Sequence, residues 1–152
     1  MHNFVISDTS SLIIFEKIDQ LGLLNKLYAN IVVTPDVVGE YQDQLPDWIN
    51  VTRVKDKKYQ IFLETQVDRG EASSIALAME LKDSLLLLDD LKARKLAKRL
   101  NLKFTGALGV ISKAKQKGFI SEVKPLLDKL VLTNFRISDR IVNEMLIING
   151  EL

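Results

Sequence analysis

Short apolar runs alternate along the chain with longer segments of helical periodicity. The apolar runs predict strands at 4–6, 31–34, 51–54, 85–88 and 102–105. The other segments predict helices at 10–18, 21–28, 35–42, 57–67, 71–81, 91–100, 108–117, 121–132 and 138–148. This alternation predicts an α/β fold in which helices cover both faces of a central, mainly parallel sheet.

Three acidic residues follow the ends of two predicted strands. Asp8 follows the first strand, and Asp89 and Asp90 follow Leu85–Leu88, a run that is apolar at every position. Such a run is typical of a parallel strand that is buried on both faces. Because parallel sheets bind ligands beyond the carboxyl ends of their strands, we expect the functional groups at these positions.

Length and composition favour a globular protein. The chain has 152 residues, of which 47% are hydrophobic and 27% charged. Because domains are commonly of this size, we expect residues 1–152 to form a single domain. The helices from about residue 121 are rich in apolar residues, so they either complete the core or form an extension that binds a partner protein.

The chain has no Cys and one His, at position 2. These counts exclude disulfide scaffolds, thiolate zinc sites and cysteine nucleophiles, and they disfavour histidine-based triads. Any catalysis must therefore rely on carboxylates, hydroxyls, Lys or Arg. The pattern contains no visible targeting or membrane-spanning segment, and the absence of Cys is compatible with the cytoplasmic location that we expect.

Positive charge is concentrated in one segment of the chain. Residues 91–121 contain nine Lys and Arg residues and no Asp or Glu, although the whole chain has a net charge of only +1. The rest of the chain is therefore net acidic. Two interpretations stay open, namely solvated helix faces or a strip that neutralises nucleic-acid phosphates.

The candidate chemistry lies on five acidic residues, Asp8, Glu40, Glu71, Asp89 and Asp90. Each has an ordinary explanation as a helix N-cap, a first-turn acid or a solvated surface group. If the sheet gathers them at one edge, they repel one another and must be protonated or share a cation. Mg²⁺ and Mn²⁺ take oxygen ligands and activate water for phosphoryl chemistry. Ser10 either adds a hydroxyl to this cluster or caps the following helix.

Several segments occur in a characteristic order, Val5–Ser10, Thr34–Glu40, Gly70–Ala78, Leu87–Arg94, Thr105–Ile111 and Ala114–Ile120. In this order and spacing they resemble the PIN domain (the PilT N-terminus nuclease fold). The resemblance is to a prokaryotic PIN-like subfamily of predicted nucleic-acid-binding proteins, and it extends from Val5 to about Glu122.

The resemblance implies a three-layer α/β/α fold and a metal-dependent ribonuclease, often the toxin of a toxin–antitoxin pair and often a dimer. It implies that Asp8, Glu40, Glu71 and Asp89 are catalytic and bind Mg²⁺ or Mn²⁺. Asp90 is a further ligand or the alternative to Asp89. The implied partners are RNA, an antitoxin protein and a second copy of the chain, with no membrane involved.

Basic residues just after the last acids are the candidate substrate contacts. In the nuclease hypothesis Lys92, Arg94 and Lys95 meet the phosphates of RNA, together with Ser10. The planar guanidinium of Arg94 can grip two phosphate oxygens. The alternative for Arg94 is a surface cation or an ion pair with one of the acids.

Two other functions stay open. One is a catalytically weak PIN-fold module that binds nucleic acid or regulates, because Leu88 stands where many PIN toxins have Thr or Ser, and Thr105-Gly106 replaces an acidic loop. The other is a phosphatase of the Asp-x-Asp type, which is disfavoured because Asp8-Thr9-Ser10 lacks the second acid.

Overall fold

A computed structural model describes residues 2–152. The strands are β1 Phe4–Ser7, β2 Ile31–Val33, β3 Ile49–Val51, β4 Ser84–Leu87 and β5 Phe104–Thr105. The helices are α1 Thr9–Lys17, α2 Leu21–Leu27, α3 Pro35–Glu40, α4 Lys57–Leu63, α5 Arg69–Glu80, α6 Leu91–Arg99, α7 Ala107–Gln116, α8 Lys124–Val131 and α9 Asp139–Ile148.

The five strands form one parallel sheet in the order β3-β2-β1-β4-β5. The chain runs outward from β1 on one side and from β4 on the other, so the strand order reverses between these two neighbours. Ser7 pairs with Leu87 at their carboxyl ends. The residues that follow β1 and β4 therefore leave the sheet side by side, at the position where open α/β sheets bind ligands.

The sheet is covered by apolar residues on both faces, which makes three layers. Leu85 and Leu87 pack in one buried cluster with residues of α1, α2, α7 and α8. Leu86 and Leu88 pack in a second cluster with residues of α4, α5 and α6. Alternate residues of a strand point to opposite faces, so the all-apolar run of β4 is buried on both sides. The predicted α/β/α fold with a central parallel sheet is confirmed.

Two predicted strands are displaced. The strand expected at 51–54 lies at Ile49–Val51, because Ile49 is buried against the core and pairs with Ile31, and the Thr52 amide makes the last bond toward β2. The strand expected from residue 102 begins at Phe104, because the Leu102 amide donates to the carbonyl of Ala97 and closes α6 instead.

Helix boundaries also differ from the pattern. The helix expected from residue 71 begins at Arg69, so Gly70 lies in its first turn, because Asp68 caps the helix. The helix expected from residue 121 begins at Lys124, with a proline in its first turn, a position that suits the missing N–H of proline. Helices α3 and α4 end two and four residues earlier than the pattern indicates.

The C-terminal helices contribute their inner faces to the core. Leu127 and Leu130 of α8 and Leu146 of α9 are buried, whereas Leu132 and Ile148 are exposed. The use of this region as an interaction extension stays a prediction. Among the described helices, none has the length and apolar character needed to cross a membrane.

Candidate functional site

Asp8 lies directly after β1 and caps α1. Its Oδ1 accepts a hydrogen bond of 2.9 Å from the Ser11 amide, whereas its buried Oδ2 has no hydrogen-bond partner. Burial raises the pKa of Asp8 to about 7, and the charges of Asp89 and Asp68 add to the shift, while the hydrogen bonds from Ser11 oppose it. Ser10 is exposed and does not cap the helix. Asp8 is thus a buried carboxyl with one oxygen free for a ligand.

Glu40 comes to the site from the last residue of α3. Its Oε1 accepts a hydrogen bond of 2.5 Å from the Thr9 hydroxyl, which joins α3 to the start of α1. The same oxygen lies against Gly70 so closely that a Cβ on Gly70 would be 2.1 Å from it. Three elements therefore meet at the carboxylate of Glu40.

Glu71 is held in a reciprocal capping box at the start of α5. The Asp68 Oδ1 accepts from the Glu71 amide at 2.8 Å, and the Glu71 Oε1 accepts from the Asp68 amide at 3.3 Å. Burial raises the pKa of Glu71 to about 8, as do the charges of Asp68, Asp90 and Asp8. Asp68 is a further acid of the site that the sequence analysis missed, although Asp-x-x-Glu before a helix is a capping-box pattern.

Asp89 and Asp90 follow β4 and have different roles. Both oxygens of Asp89 accept from the Ala107 amide, at 3.1 and 3.2 Å, so Asp89 bridges β4 to the start of α7. Burial raises the pKa of Asp89, while that hydrogen bond and the charge of Arg94 oppose the shift. Asp90 caps α6 through the Ala93 amide at 3.0 Å.

Three cavities along this edge of the sheet share the acids. A cavity of about 180 Å³ is lined by Asp8, Thr9, Ser10, Glu40, Asp68 and Glu71. A second, of about 340 Å³, is bordered by Asp68, Glu71 and Asp90 and also by Lys92. A groove of about 880 Å³ contains Ser10, Asp89, Asp90 and Arg94 in its wall. Each of the five acids predicted from the sequence therefore lines at least one of these cavities, and Asp68 lines the two smaller ones.

The donor chemistry of this cluster suits a hard divalent cation. Its side chains offer only oxygen, and the unpartnered Oδ2 of Asp8 is an atom that a cation would satisfy. In the arrangement of residues 2–152, however, no three side chains of the His, Cys, Asp or Glu type are grouped so that they could hold a metal ion. The Thr9 and Ala107 hydrogen bonds occupy Glu40 and Asp89. Each of these hydrogen bonds uses only part of the acceptor capacity of its carboxylate, so lone pairs are left for a cation.

The three cations predicted to contact substrate are placed differently. Arg94 lines the 880 Å³ groove beside Asp89 and Asp90. Lys92 lines the 340 Å³ cavity, whereas Lys95 is exposed and lines none of the three cavities. None of the ion pairs in the described part of the chain includes Arg94.

The comparisons with known proteins point to one family. No curated protein matches the chain significantly. The family model DUF3368, described as a PIN domain, matches residues 4–151, which is nearly the whole chain and includes every residue of the site. PIN domains are generally nucleases, which typically use divalent metal ions. With a nuclease-type fold and a family match of this extent, the chain belongs to the PIN-domain family.

Proposed function

We propose that this protein is a metal-dependent endoribonuclease that hydrolyses phosphodiester bonds of RNA. The observation that carries the proposal is Asp8, a buried carboxyl with an unpartnered oxygen at the point where the strand order reverses. A buried acceptor without a partner is costly. A cation in the adjoining cavity would relieve that cost and the mutual repulsion of the acids.

The proposed cation ligands are Asp8, Glu40, Glu71 and Asp89, with Asp90 as an additional ligand or as the alternative to Asp89. A bound Mg²⁺ or Mn²⁺ would supply an activated water and stabilisation of the leaving oxygen. Without the cation, the raised pKa values of Asp8 and Glu71 leave these carboxyls partly protonated near neutral pH.

The chain's own residues would hold the RNA. Arg94 would bind phosphate oxygens from the groove, and Lys92 would do so from the neighbouring cavity. The exposed hydroxyl of Ser10 borders both the groove and the smallest cavity, so it is suited to hydrogen-bond a phosphate between them. Lys95 would add positive charge at longer range.

We further propose that the protein is a single domain, that it acts in the cytoplasm, and that it is the toxin of a toxin–antitoxin pair. The exposed apolar side chains of Val131, Leu132, Ile147 and Ile148 support the presence of a partner surface on the C-terminal helices. An antitoxin protein and a second copy of the chain are the partners that we propose for it.

The second candidate function is a catalytically weak PIN-fold module that binds nucleic acid or regulates. The observation that favours it is that no three acidic side chains of the described residues are grouped for a metal, while Glu40 and Asp89 accept hydrogen bonds from Thr9 and Ala107. In this function the basic segment would bind RNA without cleaving it.

Cleavage of labelled single-stranded RNA in Mn²⁺, Mg²⁺ or EDTA tests the first proposal and separates the two. We expect cleavage only with a divalent cation, and Asp8→Asn should slow it by at least about 100-fold, or about 2.7 kcal/mol of transition-state stabilisation. Asp43→Asn is the matched control, because Asp43 is exposed and lines none of the cavities. RNA binding without cleavage in either ion would instead support the regulatory module.

A further inference from the structure

Arg94 is held by an aromatic ring at the wall of the groove. Its Cζ lies 4.9 Å from the ring centroid of Phe104. Its Nε is buried and has no hydrogen-bond partner. The guanidinium thus has one face on an aromatic surface and an unsatisfied donor beside the acids.

We propose that Phe104 is a positioning residue, whose ring holds the guanidinium of Arg94 in the orientation that receives a phosphate of the bound RNA. This inference rests on the proposed function. A flexible Arg loses side-chain entropy when it is fixed on a ligand. The cation–π contact with Phe104 already restricts the Arg94 side chain in the free protein, so less entropy is lost when RNA binds.

The strand register places the strand that carries Phe104 beside the strand that precedes Asp89 and Asp90. Phe104 pairs with Leu86 and Thr105 with Leu87, so β5 lies directly beside β4. Two residues after Leu87, Asp89 begins the acidic edge, and Thr105 and Arg94 line the same groove. In β5, Phe104 therefore contacts Arg94, and the next residue, Thr105, lines the groove.

Arg94 differs in this respect from the other two cations proposed to contact RNA. Lys92 and Lys95 are exposed, and the cation–π contacts of the described residues include neither. Arg94 also lines the groove, where a charge-assisted hydrogen bond to a phosphate oxygen would be among the stronger ones. Among these three candidate RNA contacts, Arg94 is therefore the one that is organised before substrate binds.

A double-mutant cycle on RNA binding tests the inference without any cleavage. The probe is a fluorescein-labelled oligouridylate of about ten nucleotides, followed by fluorescence anisotropy in EDTA. We expect Arg94→Ala to weaken binding about tenfold and to reduce the salt slope by about 0.7. Phe104→Leu should weaken it about threefold, and Phe104→Tyr, which keeps the ring, should retain near wild-type affinity.

The decisive comparison is Phe104→Leu in the Arg94→Ala background, where it should have no further effect. A purely structural role of Phe104 would instead give additive losses, which would overturn the inference. Failure of the wild-type protein to bind the probe, or an unchanged affinity in Phe104→Leu, would overturn it as well.

Two controls separate positioning from general damage. Leu102→Ala removes packing from the same apolar cluster but keeps the Phe104 ring under Arg94, and it should leave the affinity unchanged. If Phe104→Leu does not fold, as judged by thermal unfolding, Phe104→Met takes its place in the cycle. The binding assay in EDTA needs no metal, so the two proposals can fail separately. Non-additive binding losses in a protein that cleaves no RNA with Mn²⁺ or Mg²⁺ would refute the nuclease proposal and leave this one standing.

Discussion

At the scale of single residues, two glycines leave the space that two of the acidic side chains occupy. A Cβ on Gly70 would lie 2.1 Å from the Glu40 Oε1, and a Cβ on Gly106 would lie 2.3 Å from the Asp89 Oδ1. Neither glycine has a positive φ, so their role is to leave room. Each lets an acidic side chain lie directly against the backbone of another element.

Gly70→Ala should therefore separate activity from stability. Alanine favours a helix over glycine by about 0.5–1 kcal/mol, and the contacted atom ends a flexible side chain, so we expect the melting temperature to hold or rise. The displaced Glu40 should lower the rate of RNA cleavage by at least about tenfold, or about 1.4 kcal/mol. Initial rates and thermal unfolding measure the two effects.

The matched control is Gly39→Ala, next to Glu40 in the chain. A Cβ there meets nothing within 4 Å, so the same helix-favouring change should leave cleavage intact. Equal rates for Gly70→Ala and the wild type would show that the position of Glu40 is irrelevant to the reaction.

At the scale of elements, one residue near the C-terminus ties several helices together. The Glu151 Oε2 accepts from the Lys115 ammonium at 2.8 Å and the Val123 amide at 2.7 Å, and its Oε1 accepts from the Lys124 amide at 3.1 Å. The residues following α9 are thereby fastened to α7 and to the first turn of α8. The Glu151 side chain is only 7% exposed, so these bonds are shielded from water.

Glu151→Gln should destabilise the protein at neutral pH but not in acid. Burial acts to raise the pKa of Glu151, yet the Lys115, Val123 and Lys124 contacts outweigh it and lower the pKa. A lowered pKa gives stability that is present at neutral pH and is lost as the pH falls through the acid range. Loss of about 1–2 kcal/mol should lower the melting temperature at pH 7 by about 2–8 °C.

The difference between variant and wild type should shrink toward about pH 3, below the ordinary Glu pKa of about 4.3. Glu144→Gln serves as the control, because Glu144 forms an exposed pair with Arg140 that should contribute little. A Glu151→Gln effect that is equal at both pH values would contradict the ionic role of Glu151.

The elements were the most predictable part of the molecule. The apolar run of β4 and the acids after β1 and β4 follow from local pattern, because strand burial and helix capping are decided within a few residues. The contribution of Asp68 follows the same kind of local rule but was overlooked. The Thr9–Glu40 and Asp89–Ala107 contacts join residues far apart in the chain, so no local sequence pattern predicts them. The position of β3 was missed because it depends on pairing with β2.

At the scale of the whole molecule, the buried acids should make the metal-free protein sensitive to pH. The pKa values of Asp8 and Glu71 rise to about 7 and about 8 from ordinary values of 3.8 and 4.5. Over that interval the folded state binds more protons than the unfolded state, so stability falls as the pH rises. In EDTA we expect a melting temperature at least about 3 °C higher near pH 6 than near pH 8.5.

Asp8→Asn should flatten this dependence, because an amide does not titrate. Mn²⁺ added near pH 8.5 should raise the melting temperature of the wild type more than that of Asp8→Asn, because a ligand of the folded state stabilises it. A wild-type melting temperature that rises with pH in EDTA would show that folding does not raise the pKa values of these acids.

The Asp89–Ala107 contact has a consequence for the newly made chain. The acidic edge is complete only when the start of α7 has left the ribosome and reached β4, long after Asp8, Glu40 and Glu71 have been synthesised. A nascent polypeptide that stops before α7 lacks the Ala107 amide, so its Asp89 carboxylate is without this hydrogen-bond donor. Under the proposed nuclease function, incomplete chains would leave the RNA of the cell uncut, because Asp89 gains its backbone partner only after most of the domain has been made.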